Sequence, residues 1–196
     1  MAGRKRASGS GSRTTASKKT AAAKTPSGKA KAGEPSRDRP RFPPAYGISK
    51  SAKGLLPWAH VDQRMHKAMR YWVSSVDADR RPHATPIDGM WIDGKLYFGG
   101  SPSTRRNRNL VANPAACVHL EEAMDVVILH GDARELRNVS PDLSRRIIEH
   151  SKEKYGFAPP VDDLGAGGVF VFEPRLVFAW KNFTKDATRF RFPSGR

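Results

Sequence analysis

The sequence predicts a mainly β domain with a few helices, closed or nearly closed into an antiparallel barrel and preceded by a disordered basic tail. Three observations predict it. Short runs of β-forming residues recur with turn residues between them. Three stretches carry helical spacing. The strand-to-strand connections are too short for a parallel βαβ sheet, whose crossovers need a dozen or more residues.

The tail runs from Met1 to about Pro44. It consists mainly of Ser, Thr, Ala, Gly, Lys, Arg and Pro, with one Phe (Phe42) and no Leu, Ile or Val. Such a segment cannot bury enough apolar surface to offset its ordering entropy, so disorder is expected over residues 1–44. Residues 1–41 hold 12 basic residues against Glu34 and Asp38, within a net charge of +16 for the chain. The remaining 23 basic and 17 acidic residues leave the domain only mildly basic. Cations in the tail would attract polyanions, so weak nucleic-acid contact is one reading. A solvated tail is the plainer one, and the composition favours it. Cys117 is the one cysteine, so no intramolecular disulfide forms. No apolar stretch follows Arg4, Lys5 and Arg6, and no run approaches the ~18 apolar residues of a membrane span. These features lead to the expectation of a cytoplasmic protein without membrane contact.

The ordered domain is expected from about Leu55 to Phe192. Val61, Met65, Ala68 and Met69 sit at helical spacing and predict a short amphipathic helix over 60–70. Tyr71–Val76 reads as a strand, Asp77–Arg81 as a polar turn. His83–Ile87 and Met90–Ile92 read as one returning strand, broken near Pro86 and Gly89. Pro86 cannot donate to a ladder, so an edge, a bulge or a ligand-facing point is expected there. Asp93-Gly94 is a two-residue hairpin turn, and Lys95–Phe98 returns from it. Thr104–Ala112 reads as a helix ended by Asn113-Pro114. Ala115–Leu120 and Asp125–Leu136 are the next strands, with a bulge or bend at Gly131. Pro141–Tyr155 is a second long helix, with Leu143, Ile147 and Ile148 on one side. Residues 161–168 form a loop. Residues 169–172 and 176–180 read as a hairpin around Glu173-Pro174-Arg175, and 189–192 as a last short strand.

The segment from Ser101 to Leu110 carries the chemistry. It follows a strand and opens a helix, with Ser103 or Thr104 as N-cap. Free amides, a partial positive charge, hydroxyls and the nearby Arg105, Arg106 and Arg108 together suit a phosphate. A capped surface helix with a solvated basic face is the plain alternative. It loses ground because the motif follows a hairpin, where loops gather at a barrel mouth.

Four consecutive segments now match one pattern: Tyr71–Val76, Arg81–Ile87, Trp91–Phe98, and Thr104–Leu110 followed by Ala112-Asn113-Pro114. In these the chain resembles the pyridoxamine 5′-phosphate oxidase-like family, and within it the branch of actinobacterial flavin- and deazaflavin-dependent oxidoreductases. The resemblance covers about Leu55 to Phe192. It implies a six-stranded antiparallel split β-barrel that forms homodimers, with cofactor clefts at the interface. It implies that His83, Thr85, Pro86 and Ile87 lie along the ring of a flavin or deazaflavin, and that Ser103, Thr104, Arg105 and Arg106 hold its phosphate. In relatives the position of Arg106 is often lysine. Asp88 stands where relatives often carry an aromatic residue, and Gly99-Gly100 where small hydroxyl residues are common. The implied cofactor is FMN or coenzyme F-420. The acidic tail of F-420 would suit a mildly basic domain, and the actinobacterial branch tips the choice towards it.

The implied activity is an oxidoreductase that reduces a small unsaturated or aromatic substrate. The cofactor would carry the chemistry, and the sequence names no catalytic residue; His83 or Asp88 would be the candidate for any proton donor. The alternative is a non-catalytic module that binds a cofactor or tetrapyrrole and carries a polyanion-binding tail. Some split-barrel relatives bind haem through histidine, and His119 and His130 sit on adjacent predicted strands. His60, His66, His83, His119, His130 and His150 form no metal-binding spacing, so no metal site is expected.

Overall fold

The computed structural model describes residues 27–28, 34–160, 164 and 167–193. Along the chain these form β1 (Ser27–Gly28), β2 (Ser36–Asp38), α1 (Trp58–Lys67), β3 (Tyr71–Val76), β4 (Pro82–Ile87), β5 (Met90–Ile92), β6 (Lys95–Phe98), α2 (Arg105–Ala112), β7 (Ala115–His119), β8 (Val126–Glu135), α3 (Pro141–Tyr155), β9 (Phe170–Trp180), α4 (Phe183–Asp186) and β10 (Thr188–Arg191). The architecture is mainly β with a few helices.

Every pairing between the described strands is antiparallel, and the pairings close a ring. β3 lies between β4 and β7; β7 leads to β8, and β8 to β9. The other edge of β9 takes β6, β6 pairs with β5, and β5 continues β4 after Asp88-Gly89. Alternating side chains fill the ring. Tyr71 and Val73 are buried from β3, Leu96 and Phe98 from β6, and Phe170 and Phe172 from β9. Val61 and Met65 of α1 join the same cluster. Asp93 and Gly94, at φ 52° and 74°, make the tight β5–β6 hairpin that the sequence predicts. The described strands number ten, a count that includes strands outside the barrel for which six were expected. Asp88-Gly89 divides β4 from β5, and β1, β2 and β10 extend the sheet outside the ring.

A smaller apolar cluster lies outside the barrel, where Ile147 of α3 and Leu164 cover Ile92 and Tyr97, with Leu143 and Ile148 against them. Ser140 caps α3, its Oγ accepting the Leu143 N–H at 3.3 Å.

Two expectations are corrected. The hairpin around residues 173–175 is a single strand, β9. His130 pairs with Leu176 and Gly131 with Pro174, so Arg175 bulges out. Proline's missing donor falls where β9 changes neighbours, from β6 at Phe170–Phe172 to β10 at Leu176–Ala179. Nor does the expected disorder reach residue 44. Ser36–Asp38 pairs with Arg189–Arg191, and Asp38 and Arg39 are buried. Ladder hydrogen bonds and ion pairs order this largely polar segment, with Pro35 and Pro40 buried on either side of β2. Residues 1–26 and 29–33, which carry most of the expected tail, lie outside the described residues, as does most of the loop expected at 161–168. Among the described residues, no helix is long and apolar enough to cross a membrane.

Candidate functional site

A cleft of about 590 Å³ opens where β4 ends. Pro86 and Ile87 form one wall, with Asp88 and Met90 on the link into β5. Gly99 and Gly100 enter from the end of β6, Thr104 and Arg106 from the start of α2. Ser151 and Tyr155 of α3, then Phe157 and Pro159, close the far side. The volume suits an organic ligand, and the walls are largely apolar.

Arg106 is its main polar feature. Its side chain is drawn inward, leaving the residue 8 % exposed. Nη2 donates to Gly99 O at 2.9 Å and Nε to Asn107 Oδ1 at 3.0 Å, and the guanidinium lies 5.3 Å over the Phe98 ring. No carboxylate of the described residues lies within ion-pair distance of it. Burial lowers its pKa from the ordinary arginine value. A buried cation without a counter-charge is costly, and a bound anion would relieve that cost.

The loop before α2 is braced from inside. Asn107, which is buried, donates from Nδ2 to Gly100 O and Ser101 O, both at 3.0 Å. Thr104 is the N-cap, its Oγ1 accepting the Asn107 N–H at 3.3 Å.

Of the residues expected to hold a cofactor, the structure brings Pro86, Ile87, Thr104 and Arg106 together in the cleft. It does not bring the other four. Arg105 turns away to Asp77, 3.3 Å from Nη2. Ser103 is exposed and meets the Ser101 hydroxyl at 2.8 Å. His83 and Thr85 lie further back on β4, half-buried and outside the cleft lining.

Asp88, whose carboxylate could repel a phosphate, arrives with a counter-ion: its Oδ1 is 2.9 Å from Arg70 Nη1. Arg70 and the α3 wall were not legible as site residues. From sequence α3 is a long helix with one apolar side, and only the fold places its C-terminal end here. Gly156 ends α3 in the left-handed region at φ 74°, and the chain beyond it brings Phe157 and Pro159 to the cleft.

Behind that wall Lys154 Nζ donates to Tyr71 Oη at 2.9 Å and Gly89 O at 3.0 Å. It lies 4.6 Å and 5.3 Å over the Tyr71 and Tyr155 rings. Burial pushes the amine down to about 8, with Asp88 pulling it up and Arg70 down. Tyr71 is pushed up from the ordinary phenol value by burial, then by Tyr155. Because the folded pKa of Lys154 is depressed, the unfolded chain holds more protons between about pH 8 and pH 10.5. Stability relative to Lys154→Met should therefore rise with pH through that window, by roughly 1–2 kcal/mol after solvent screening. Parallel urea titrations at pH 7 and pH 10 check this; a constant difference between the two proteins would refute it.

Among the described residues, no group of three His, Cys, Asp or Glu could hold a metal ion. His119 is stacked on Trp72 at 6.2 Å, and His130 sits edge-on to Phe178. Neither lines the cleft.

Comparison with known proteins adds the following. The pyridoxamine 5′-phosphate oxidase family matches residues 58–195. No curated protein matches the chain by sequence. Similar solved structures include the conserved hypothetical protein Rv2991 from Mycobacterium tuberculosis, with 18 % identity and a TM-score of 0.56, over 66 % of this chain and 88 % of that one. A NimC/NimA family protein from Clostridium acetobutylicum has 13 % identity and a TM-score of 0.53, over 68 % and 91 %. The heme storage protein HutZ from Vibrio cholerae has 17 % identity and a TM-score of 0.50, over 62 % and 92 %. At these identities the likeness is one of fold.

Proposed function

Because the chain belongs to the pyridoxamine 5′-phosphate oxidase family, we propose that its cleft holds FMN or coenzyme F-420 and that the protein is an oxidoreductase acting on a small unsaturated or aromatic substrate. The observation that carries this reading is the Arg106 guanidinium, buried at an apolar-walled cleft with no acid of the described residues beside it.

In this reading Arg106 and Thr104 receive the phosphate, with the amides at the start of α2. Pro86, Ile87 and Met90 supply a flat apolar wall for the ring, and Tyr155, Phe157 and Pro159 exclude water from the other side. When bound, the cofactor supplies hydride transfer, which no side chain of the cleft can perform. The Arg70–Asp88 pair keeps the carboxylate neutralised at the rim.

A second copy of the chain belongs to the proposal. Among the described residues β4 pairs only with β3, so its outer edge offers unpaired backbone groups, with His83 and Thr85 half-buried beside it. A partner covering that edge would bring these two residues to a ligand.

Reconstitution of the full chain tests the reading. The expected result is an absorption band of bound FMN or F-420 that a reductant bleaches and an acceptor restores. The same sample should scatter light as twice the chain mass. Arg106→Ala should weaken binding by roughly 1.5–3 kcal/mol, about 10- to 150-fold. Unchanged affinity would remove Arg106 from the site. Uptake of haemin and of neither other cofactor would point to a non-catalytic tetrapyrrole-binding module.

A further inference from the structure

We infer that Gly100 is a positioning residue for the Arg106 guanidinium: the absence of a side chain at 100 is what lets the cation sit in the cleft. The inference rests on the proposed anion site but concerns a contact within the chain.

A Cβ built on Gly100 would lie 2.5 Å from Arg106 Nη2 and 3.7 Å from its Cζ. Such an approach is inside any tolerated contact, so one partner must move. The backbone of residue 100 cannot retreat, because Asn107 Nδ2 holds Gly100 O at 3.0 Å. The Gly168 backbone packs on the same carbonyl; a Cβ there would meet it closer still. Gly100 also sits at φ 153°, a conformation that favours glycine. The guanidinium is the part free to yield, being the end of a long side chain. Yielding would break its bond to Gly99 O and lift it off the Phe98 ring.

Gly99 provides the contrast. A Cβ there meets nothing within 4 Å, so the glycine pair is not simply a flexible joint. The steric demand falls on one of the two positions, and it falls there because residue 106 is arginine. A planar fork fills the space above Phe98 that a Cβ at 100 would enter.

The consequence is specific. Gly100→Ala should act on the anion site rather than on the barrel, because a mobile side-chain end absorbs the clash. Its effect should also depend on the arginine. Backbone strain from φ 153° is present whichever residue stands at 106, so it cancels in a double-mutant cycle.

The experiment is that cycle on the full chain: wild type, Gly100→Ala, Arg106→Lys and the double variant. The readouts are FMN and F-420 affinity and the Arg106 Nε–H resonance, which the bond to Asn107 Oδ1 should protect. Gly100→Ala is expected to move that resonance and weaken cofactor binding about tenfold or more, as loss of a charge-assisted contact does. In the Arg106→Lys background the same change should alter affinity by less than about twofold, so that the two substitutions are non-additive, as residues in direct contact are. An unmoved resonance in Gly100→Ala, or equal affinity losses in both backgrounds, overturns the inference. A wild type that binds neither cofactor, with the resonance still moved, removes the proposed function and leaves the positioning role standing.

Discussion

Asp38→Ala should destabilise the protein by about 3 kcal/mol, the lower end of the cost of stripping one partner from a buried ion pair. Asp38 is 5 % exposed. Its two oxygens accept from Arg189 Nε and Nη2, both at 2.8 Å, and Oδ2 is 3.1 Å from Arg191 Nη2. Without it Arg189, whose side chain is 12 % exposed, keeps its charge and loses its counter-ion. The strand that carries it, β2, adds little apolar surface of its own. Arg39 beside it donates to three carbonyls: Ser51 O at 2.9 Å, Ala187 O at 3.0 Å and Lys53 O at 2.6 Å. Urea unfolding of the full chain should show the loss, with a melting temperature lower by roughly 10 °C at 2–4 °C per kcal/mol. A loss under about 1 kcal/mol would mean that β2 is not held by this carboxylate.

That segment also shows where sequence reading stopped. Residues 34–44 lack Leu, Ile and Val, so no apolar periodicity marks them. Their order comes from pairing with β10, more than 150 residues away along the chain, and nothing local announces such a partner. The barrel is the opposite case. β3 spans Tyr71–Val76 as predicted, because the run is rich in β-forming residues. α3 spans Pro141–Tyr155 as predicted, because Ser140, Pro141 and Gly156 mark its ends. β9 misled because Pro174 and its charged neighbours look like a turn, while the bulge that accommodates them depends on Gly131 in another strand. In the site, the loop and helix start after β6 were legible from cap chemistry and charge. Which arginine faces the cleft was not. Arg105 and Arg106 are adjacent and alike in sequence, and the fold separates their roles: Arg105 reaches out to Asp77, while Arg106 turns in over Phe98 to Gly99 O.

Gly131→Ala should be the more damaging of the two changes, at about 4 kcal/mol or more, near the upper end for single substitutions. A Cβ on Gly131 would lie 2.9 Å from both Glu173 C and Pro174 Cα, and nearer still to Glu173 O. All three obstacles are backbone, so no side-chain rotation relieves the clash. Nor can β9 bulge further, because Arg175 is already looped out at this point. The remaining response is for β8 and β9 to part. They would part where β9 passes from β6 to β10, so ladder bonds are strained on both sides of the split. The half of β9 that pairs with β6 carries Phe170, whose ring stacks on Phe98 at 5.7 Å. Phe98 in turn lies beneath the Arg106 guanidinium. Equilibrium unfolding measures the stability term, and cofactor titration of whatever fraction folds measures the second. Stability within about 1 kcal/mol of wild type would show that the two strands do not approach this closely. A folded variant with normal cofactor affinity would show instead that the β6 register, and with it the seat of Arg106, is set without β9.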